Sequence, residues 1–147
     1  MLADYYQVET APDFQTFDFV SVGPKGRIIK EVRYREIGVE DFYNLGFGDK
    51  DPVTGYLSDT TVTDNGDSQK VLATVAATLY AFTDHYPQAT IIATGSTEAR
   101  TRLYRMGIAN NLTVIEEDFT VFGLTETDWE PFRKNIVYSA FLIYRNS

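Results

Sequence analysis

The stretch NGDSQKVLATVAATLYAFTDHYPQATIIATG, residues 65–95, decides the fold. Its opening Asn-Gly turn is followed by a natural N-cap, Asp67 or Ser68, and Pro87 closes the segment, so it predicts a helix. The next residues, 89–95, form a short apolar run that predicts a buried strand. The apolar side chains of the helix recur at helical spacing: Val71, Leu72, Val75, Leu79 and Phe82.

The segments before this helix predict strands. Residues 13–38 alternate apolar and polar side chains around a Gly-Pro-Lys-Gly turn, which predicts a β-hairpin. DFYNLGFGD, residues 41–49, predicts a third strand, and residues 57–62 a fourth. The first twelve residues are expected to form a loosely held arm, although DYYQV within them could add an edge strand.

The segments after the buried strand complete the fold. STEARTRLYRMGI, residues 96–108, predicts a second helix that Ser96 or Thr97 caps and Gly107 ends. Residues 112–124, 129–133 and 136–145 predict two or three further strands. The predicted order is β-β-β-β-α-β-α-β-β. It indicates an α+β fold in one domain, 1–147, with two helices packed on a curved, mainly antiparallel sheet of about six to seven strands.

Composition excludes several classes of site. The chain has no cysteine and one histidine, so it offers no disulfide, thiolate metal site or histidine-based zinc cage, and we expect no metal and no cofactor. Its net charge of −8 opposes nucleic-acid binding. No apolar run approaches ~18 residues, and the start of the chain is not a signal peptide, so we expect a cytoplasmic protein without a membrane span.

The second predicted helix carries the only concentrated positive charge near a helix start. The turn Gly95-Ser96-Thr97 leaves backbone amides for an anion, although the same residues are also ordinary helix caps. Arg102 and Arg105 fall on one flank of the helix, and Arg100 and Tyr104 on the other. The predicted buried face is Ala99, Leu103 and Met106. The arginines could bind a ligand or pair with acids of the chain such as Glu116, Glu117 and Asp118.

The third strand places Asn44, Gly46 and Gly48 on one face. Two glycines there indicate a close approach by a ligand, a bulge, or packing beneath a helix. Together with the helix start, this defines a hypothetical ligand site of ten residues: Gly95, Ser96, Thr97, Arg100, Arg102, Tyr104, Arg105, Asn44, Gly46 and Gly48.

The chain resembles a family of bacterial proteins of unknown function over nearly its whole length. That resemblance implies no catalytic residue. The motifs that carry it are GPKG (23–26), YNLGFGD (43–49), NGDSQKVLATVA (65–76), GSTEARTRLYRMGI (95–108) and YSAFLIYR (138–145).

A second resemblance is to the GCN5-related acetyltransferases, through the strand-helix-strand-helix order and the second helix. It implies a general-acid role for Tyr104. The chain departs from that family in the loop TDNGDSQK, where Asp64 and Asp67 would repel a cofactor pyrophosphate. The matching helix residues are Ala99, Leu103, Tyr104, Gly107 and Ile108.

No catalytic set can be assembled from the sequence, so its function is unknown and enzymatic activity is left open. The sequence favours a binding or interaction module for a small anion or a protein partner. The alternatives are an enzyme on an acetyltransferase-like scaffold and a metal-free ribonuclease-like toxin, the latter using Arg100, Arg102, Tyr104 and Lys25. A homodimer formed through an edge strand is also open.

Overall fold

A computed structural model of the chain describes residues 2, 4–58, 63–95 and 97–147. Three helices lie within them: α1 (Ser68–His85), α2 (Glu98–Asn110) and α3 (Leu112–Asp118). The strands are β1 (Glu9–Thr10), β2 (Thr16–Gly23), β3 (Gly26–Glu36), β4 (Phe42–Asp49), β5 (Thr90–Ala93), β6 (Phe119–Leu124), β7 (Trp129–Pro131) and β8 (Phe141–Arg145).

The strands form one open sheet in the order β1-β2-β3-β4-β5-β8-β6-β7. Every pair of neighbours is antiparallel except β4 and β5, which run parallel because α1 carries the chain back across the sheet between them. The predicted α+β class and the mainly antiparallel sheet are therefore confirmed. The sheet has eight strands rather than the expected six or seven. Two of the eight, β1 and β7, are only two and three residues long, and such short strands leave little pattern in a sequence.

Aromatic contacts hold α1 on the sheet. The Phe82 ring stacks on Tyr34 of β3 with ring centroids 4.1 Å apart, and it meets Tyr43 of β4 edge-on at 5.0 Å. The Tyr34 hydroxyl is hydrogen-bonded to the Thr78 hydroxyl at 2.8 Å, so this buried phenol is satisfied by the same helix. The predicted helix and its packing on the sheet are both confirmed.

Alternating residues of the strands build the core on one face of the sheet. On β4 the core residues are Tyr43, Leu45 and Phe47, as the alternation predicts. Side chains of α1, α2 and α3 belong to the same core cluster, so the three described helices cover this face. None of them is both long and apolar enough to cross a membrane.

The chain after α2 differs from the prediction. The second helix continues past Gly107 to Asn110, and residues 112–118, expected as part of a strand, form α3. Leu112, Ile115 and Phe119 recur at helical spacing, which favours α3. The Asn111 side chain donates to the Gly107 carbonyl at 2.8 Å and so satisfies a carbonyl in the last turn of α2. The strand begins only at Phe119.

The predicted strand at residues 57–62 is seen only at its start. Leu57 forms an isolated antiparallel bridge with Lys50, and the Ser58 amide donates to the Asp49 carbonyl at 2.8 Å. Residues 59–62 lie outside the described part of the chain.

The N-terminal arm contacts the core through Tyr6. Its ring stacks on Phe19 with centroids 5.7 Å apart, and its hydroxyl donates to the Asp67 carboxylate at 2.5 Å. The Ser21 hydroxyl donates to the same carboxylate at 2.6 Å. Asp67 is the N-cap residue of α1, but its side chain makes no capping hydrogen bond and instead joins the arm, β2 and the helix start.

We predict that Gly123→Ala destabilises the protein by about 2 kcal/mol, because overpacking a core costs about 1–3 kcal/mol. A Cβ at position 123 would lie 2.4 Å from the buried Tyr138 ring. Urea unfolding measures the change. The matched control is Gly46→Ala, whose added Cβ would have no neighbour nearer than 3.8 Å and should change stability by less than about 0.5 kcal/mol. Equal midpoints for both variants would contradict the described contact between Gly123 and Tyr138.

Candidate functional site

A cleft of about 670 Å³ opens between the start of α2 and the chain that flanks β6 and β8. It lies where β5 ends and α2 begins. The Thr94 hydroxyl joins the two sides by donating to the Ser139 carbonyl at 3.1 Å. The lining residues are Gly95, Thr97, Glu98, Thr101, Arg102, Arg105, Leu124, Thr125, Glu126, Val137, Tyr138 and Ser139.

The turn into α2 is held by its own hydrogen bonds. The Thr97 hydroxyl accepts from the Arg100 amide at 3.2 Å, so the predicted N-cap at this residue is confirmed. The Thr101 hydroxyl accepts from the Gly95 amide at 3.1 Å. A Cβ at Gly95 would lie 2.4 Å from the Thr101 nitrogen, so only glycine allows the helix to come this close. Ser96 lies outside the described residues.

Arg102 and Arg105 line the cleft together. Neither guanidinium forms an ion pair or a hydrogen bond with any described residue. The described residues as a whole contain seven close contacts between opposite charges. Arg102 and Arg105 therefore do not pair with Glu116, Glu117 or Asp118, which was one of the two alternatives. Two arginine side chains therefore line the cleft without an acidic partner among the described residues.

Arg100 and Tyr104 lie elsewhere, because α2 turns them toward the sheet. Arg100 is 6% exposed and donates to the Ser58 carbonyl at 3.0 Å, while the Tyr104 hydroxyl donates to the Leu45 carbonyl at 3.4 Å. The predicted buried face of the helix was wrong: Ala99 and Met106 are exposed and Leu103 is half-buried. The buried residues of α2 are Arg100, Tyr104 and Ile108.

Burial raises the pKa of Tyr104 to about 12, while the charge of Arg100 and a hydrogen bond with the Phe47 backbone act in the opposite direction. The Tyr104 phenol lies inside the protein and away from the cleft, and its raised pKa extends its neutral range into alkaline pH. Because Arg100 and Tyr104 are buried while Arg102 faces the cleft and Lys25 lies in the β2–β3 turn, the ribonuclease-like set is not assembled.

Asn44, Gly46 and Gly48 do not join the cleft. They alternate with the core residues of β4 and so face the side of the sheet opposite the helices. The ladder between β3 and β4 is continuous, with Gly46 opposite Arg33 and Gly48 opposite Glu31, so neither glycine marks a bulge. The structure therefore has neither a bulge nor a described helix packed over these glycines, and the three residues lie apart from the cleft.

Several lining residues were missed by sequence reasoning. Glu126 and Ser139 come from distant segments that meet α2 only in the folded sheet. The buried Tyr138 hydroxyl donates to the Glu130 carboxylate at 2.7 Å. Burial is the main cause that raises the pKa of Tyr138, and the hydrogen bond to Glu130 is the second. Glu98 and Thr101 stand one helical turn from recognised residues, so helical spacing could have found them.

The arrangement suits binding more directly than proton transfer. The hydroxyls of Thr97, Thr101 and Tyr138 already have partners within the protein, whereas the two cleft arginines have none among the described residues. Among those residues no cluster of three or more histidine, cysteine or carboxylate side chains could hold a metal ion. The chemistry that remains is recognition by charge and guanidinium hydrogen bonds.

The chain belongs to a family of unknown function, DUF6934, whose profile matches residues 2–146. No curated protein and no solved structure is similar enough to the chain to be matched.

We predict that the wild type loses stability relative to Tyr104→Phe at alkaline pH. The unfolded phenol ionises near pH 10 and the folded one near about 12, so folding loses stability as pH rises through this window. The loss should reach about 1.4 kcal/mol at about pH 11, and the phenylalanine variant lacks it. Urea unfolding of both proteins from about pH 9 upward measures the gap. A gap that stays constant would mean that the Tyr104 phenol is not shielded from water.

Proposed function

We propose that this protein is a small-molecule binding module of the bacterial cytoplasm and that its cleft binds an anionic group through Arg102 and Arg105. The observation that carries the proposal is the pair of arginine side chains that line one cleft without an acidic partner among the described residues. Arginine suits this role because its planar fork can donate two hydrogen bonds to a carboxylate or a phosphate.

The charge of the whole protein makes this pair informative. In a chain with a net charge of −8, acids outnumber bases by 21 to 13, so acidic partners are abundant. Other cations of the chain do find partners: the buried Lys30 pairs with Asp49 at 2.6 Å, and the partly exposed Lys50 with Asp18 at 2.7 Å. Arginines that stay unpaired beside a concave surface are the more available for an anion from solution.

The size and position of the cleft agree with a small ligand. About 670 Å³ lies within the range of ligand sites, roughly 300–1,000 Å³. The cleft stands outside the carboxyl end of β5, the place where ligands collect in sheets with parallel strands. The edge strands β1 and β7 offer only two and three residues for pairing with a second copy, so a small ligand is better supported than a homodimer.

We predict that inorganic phosphate, sulfate or hexanoate binds in the cleft and that Arg102→Gln together with Arg105→Gln weakens binding at least tenfold, or about 1.4 kcal/mol. Amide chemical-shift changes of Gly95, Thr97 and Thr101 during a titration measure the affinity and locate the site. The double variant should retain the unfolding midpoint of the wild type, since neither side chain has a described partner to lose.

The matched control is Arg35→Gln, which removes one positive charge from an exposed residue of β3. It should leave the affinity within about twofold, because a distant exposed charge is screened by salt. Equal weakening by Arg35→Gln and the cleft variants, or shifts confined to other parts of the protein, would contradict the proposal.

An acetyltransferase-like enzyme is the second candidate, favoured by the order β4-α1-β5-α2 with β4 and β5 parallel. The loop before α1 argues against it. Asn65 is buried and accepts from the Lys25 amide at 2.7 Å, and the Asp67 carboxylate is bound by Tyr6 and Ser21. A pyrophosphate there would meet carboxylates and a filled loop.

Thermal unfolding with acetyl-CoA separates the two candidates. We predict no change in the melting temperature. A ligand present at 100 times its Kd would add about 2.7 kcal/mol to the free energy of unfolding, which a melting experiment detects readily. Stabilisation by acetyl-CoA that survives in the double arginine variant would favour the enzyme over the binding module.

A further inference from the structure

The cleft that faces Arg102 and Arg105 also contains two carboxylates, Glu98 and Glu126. These four charged side chains form no ion pair with one another or with any other described residue. The cleft is therefore bipolar, with equal numbers of positive and negative groups left uncompensated. A simple anion can bind the arginines, but the two glutamates repel it and lower its affinity.

Glu98 and the two arginines occupy successive turns on one face of α2. They follow one another at i, i+4 and i+7, so the backbone positions of the arginines lie about 6 and about 10 Å from that of Glu98 along the helix axis. Glu98 belongs to the first turn of α2, where the helix dipole favours a carboxylate. This local attraction helps to explain why Glu98 does not pair with Arg102 as an isolated i, i+4 pair would.

Glu126 lies on the other wall. It follows β6, while Glu98, Arg102 and Arg105 belong to α2, so one wall carries both signs of charge and the other adds a second carboxylate. Glu126 is exposed and makes no hydrogen bond within the described chain, so its carboxylate is available to a ligand.

We infer that the ligand is an elongated zwitterion: a small molecule with a cationic amine at one end and a carboxylate or phosphate at the other. The inference rests on the proposed function, because the anionic end is the group that Arg102 and Arg105 bind. The amine end lies with Glu98 and Glu126. The spacing along α2 favours a molecule whose charges are separated by a chain, such as an ω-amino acid or a short peptide, over a compact α-amino acid.

Three probes of one length test the charge requirement: 6-aminohexanoate, hexanoate and hexylamine, each titrated into the protein and followed by calorimetry and by amide chemical shifts. We expect 6-aminohexanoate to bind at least tenfold more tightly than either single-charge probe. Equal affinities for 6-aminohexanoate and hexanoate would overturn the zwitterion and leave the anion site standing. Failure of all three probes to bind would overturn both.

Glutamine variants assign the amine end. Glu98→Gln with Glu126→Gln should abolish the advantage of 6-aminohexanoate while hexanoate binds as well as before or better, since two repelling charges are gone. Glu126→Gln alone keeps the test valid if the change at Glu98 weakens the start of α2. The matched control is Glu116→Gln on an exposed position of α3, which should leave the preference intact. A preference for the zwitterion that survives the double variant would overturn the assignment.

Discussion

The stacking of Phe82 on Tyr34 is the contact on which the rest of the structure depends. It joins the last turns of α1 to β3 at a centroid distance of 4.1 Å, and Tyr43 of β4 contacts the same Phe82 ring edge-on. Buried aromatic pairs contribute about 0.5–1.5 kcal/mol beyond the area they bury. With α1 held there, the chain must re-enter the sheet parallel to β4, and the start of α2 is placed at the far end of β5.

The treatment of charge differs between the sheet and the cleft. Buried charges of the sheet are paired, as Lys30 with Asp49, because an unpaired charge in the interior would cost several kcal/mol. At the cleft, water screens the charges and lets them stay apart, so they persist without partners at little cost. The paired charges of the sheet are explained by stability. The unpaired charges of the cleft form no contact with described residues that would stabilise the fold, and recognition of a ligand explains them more simply.

Much of the fold follows from local patterns. Alternation identified the hairpin of β2 and β3 and the inward face of β4, and helical spacing with a terminal proline identified α1. The prediction at residues 112–118 was wrong because the β-favouring residues there were given more weight than the helical spacing of the apolar side chains. The failure on α2 came from assuming that apolar side chains must face the core, when the interior there accepts Arg100 through a hydrogen bond to the Ser58 carbonyl.

The sequence by itself determined the α+β class, an N-cap of α2 at Ser96 or Thr97 and the division of the arginines into two groups, because each depends on patterns within single segments. Tertiary structure alone decided which group is available. It buried Tyr104 against β4 and Arg100 against Ser58, sent Asn44, Gly46 and Gly48 to the opposite face of the sheet, and brought Glu126 and Ser139 into the same cleft as Arg102. These outcomes depend on the order of strands in the sheet, which long-range packing sets and no local pattern specifies.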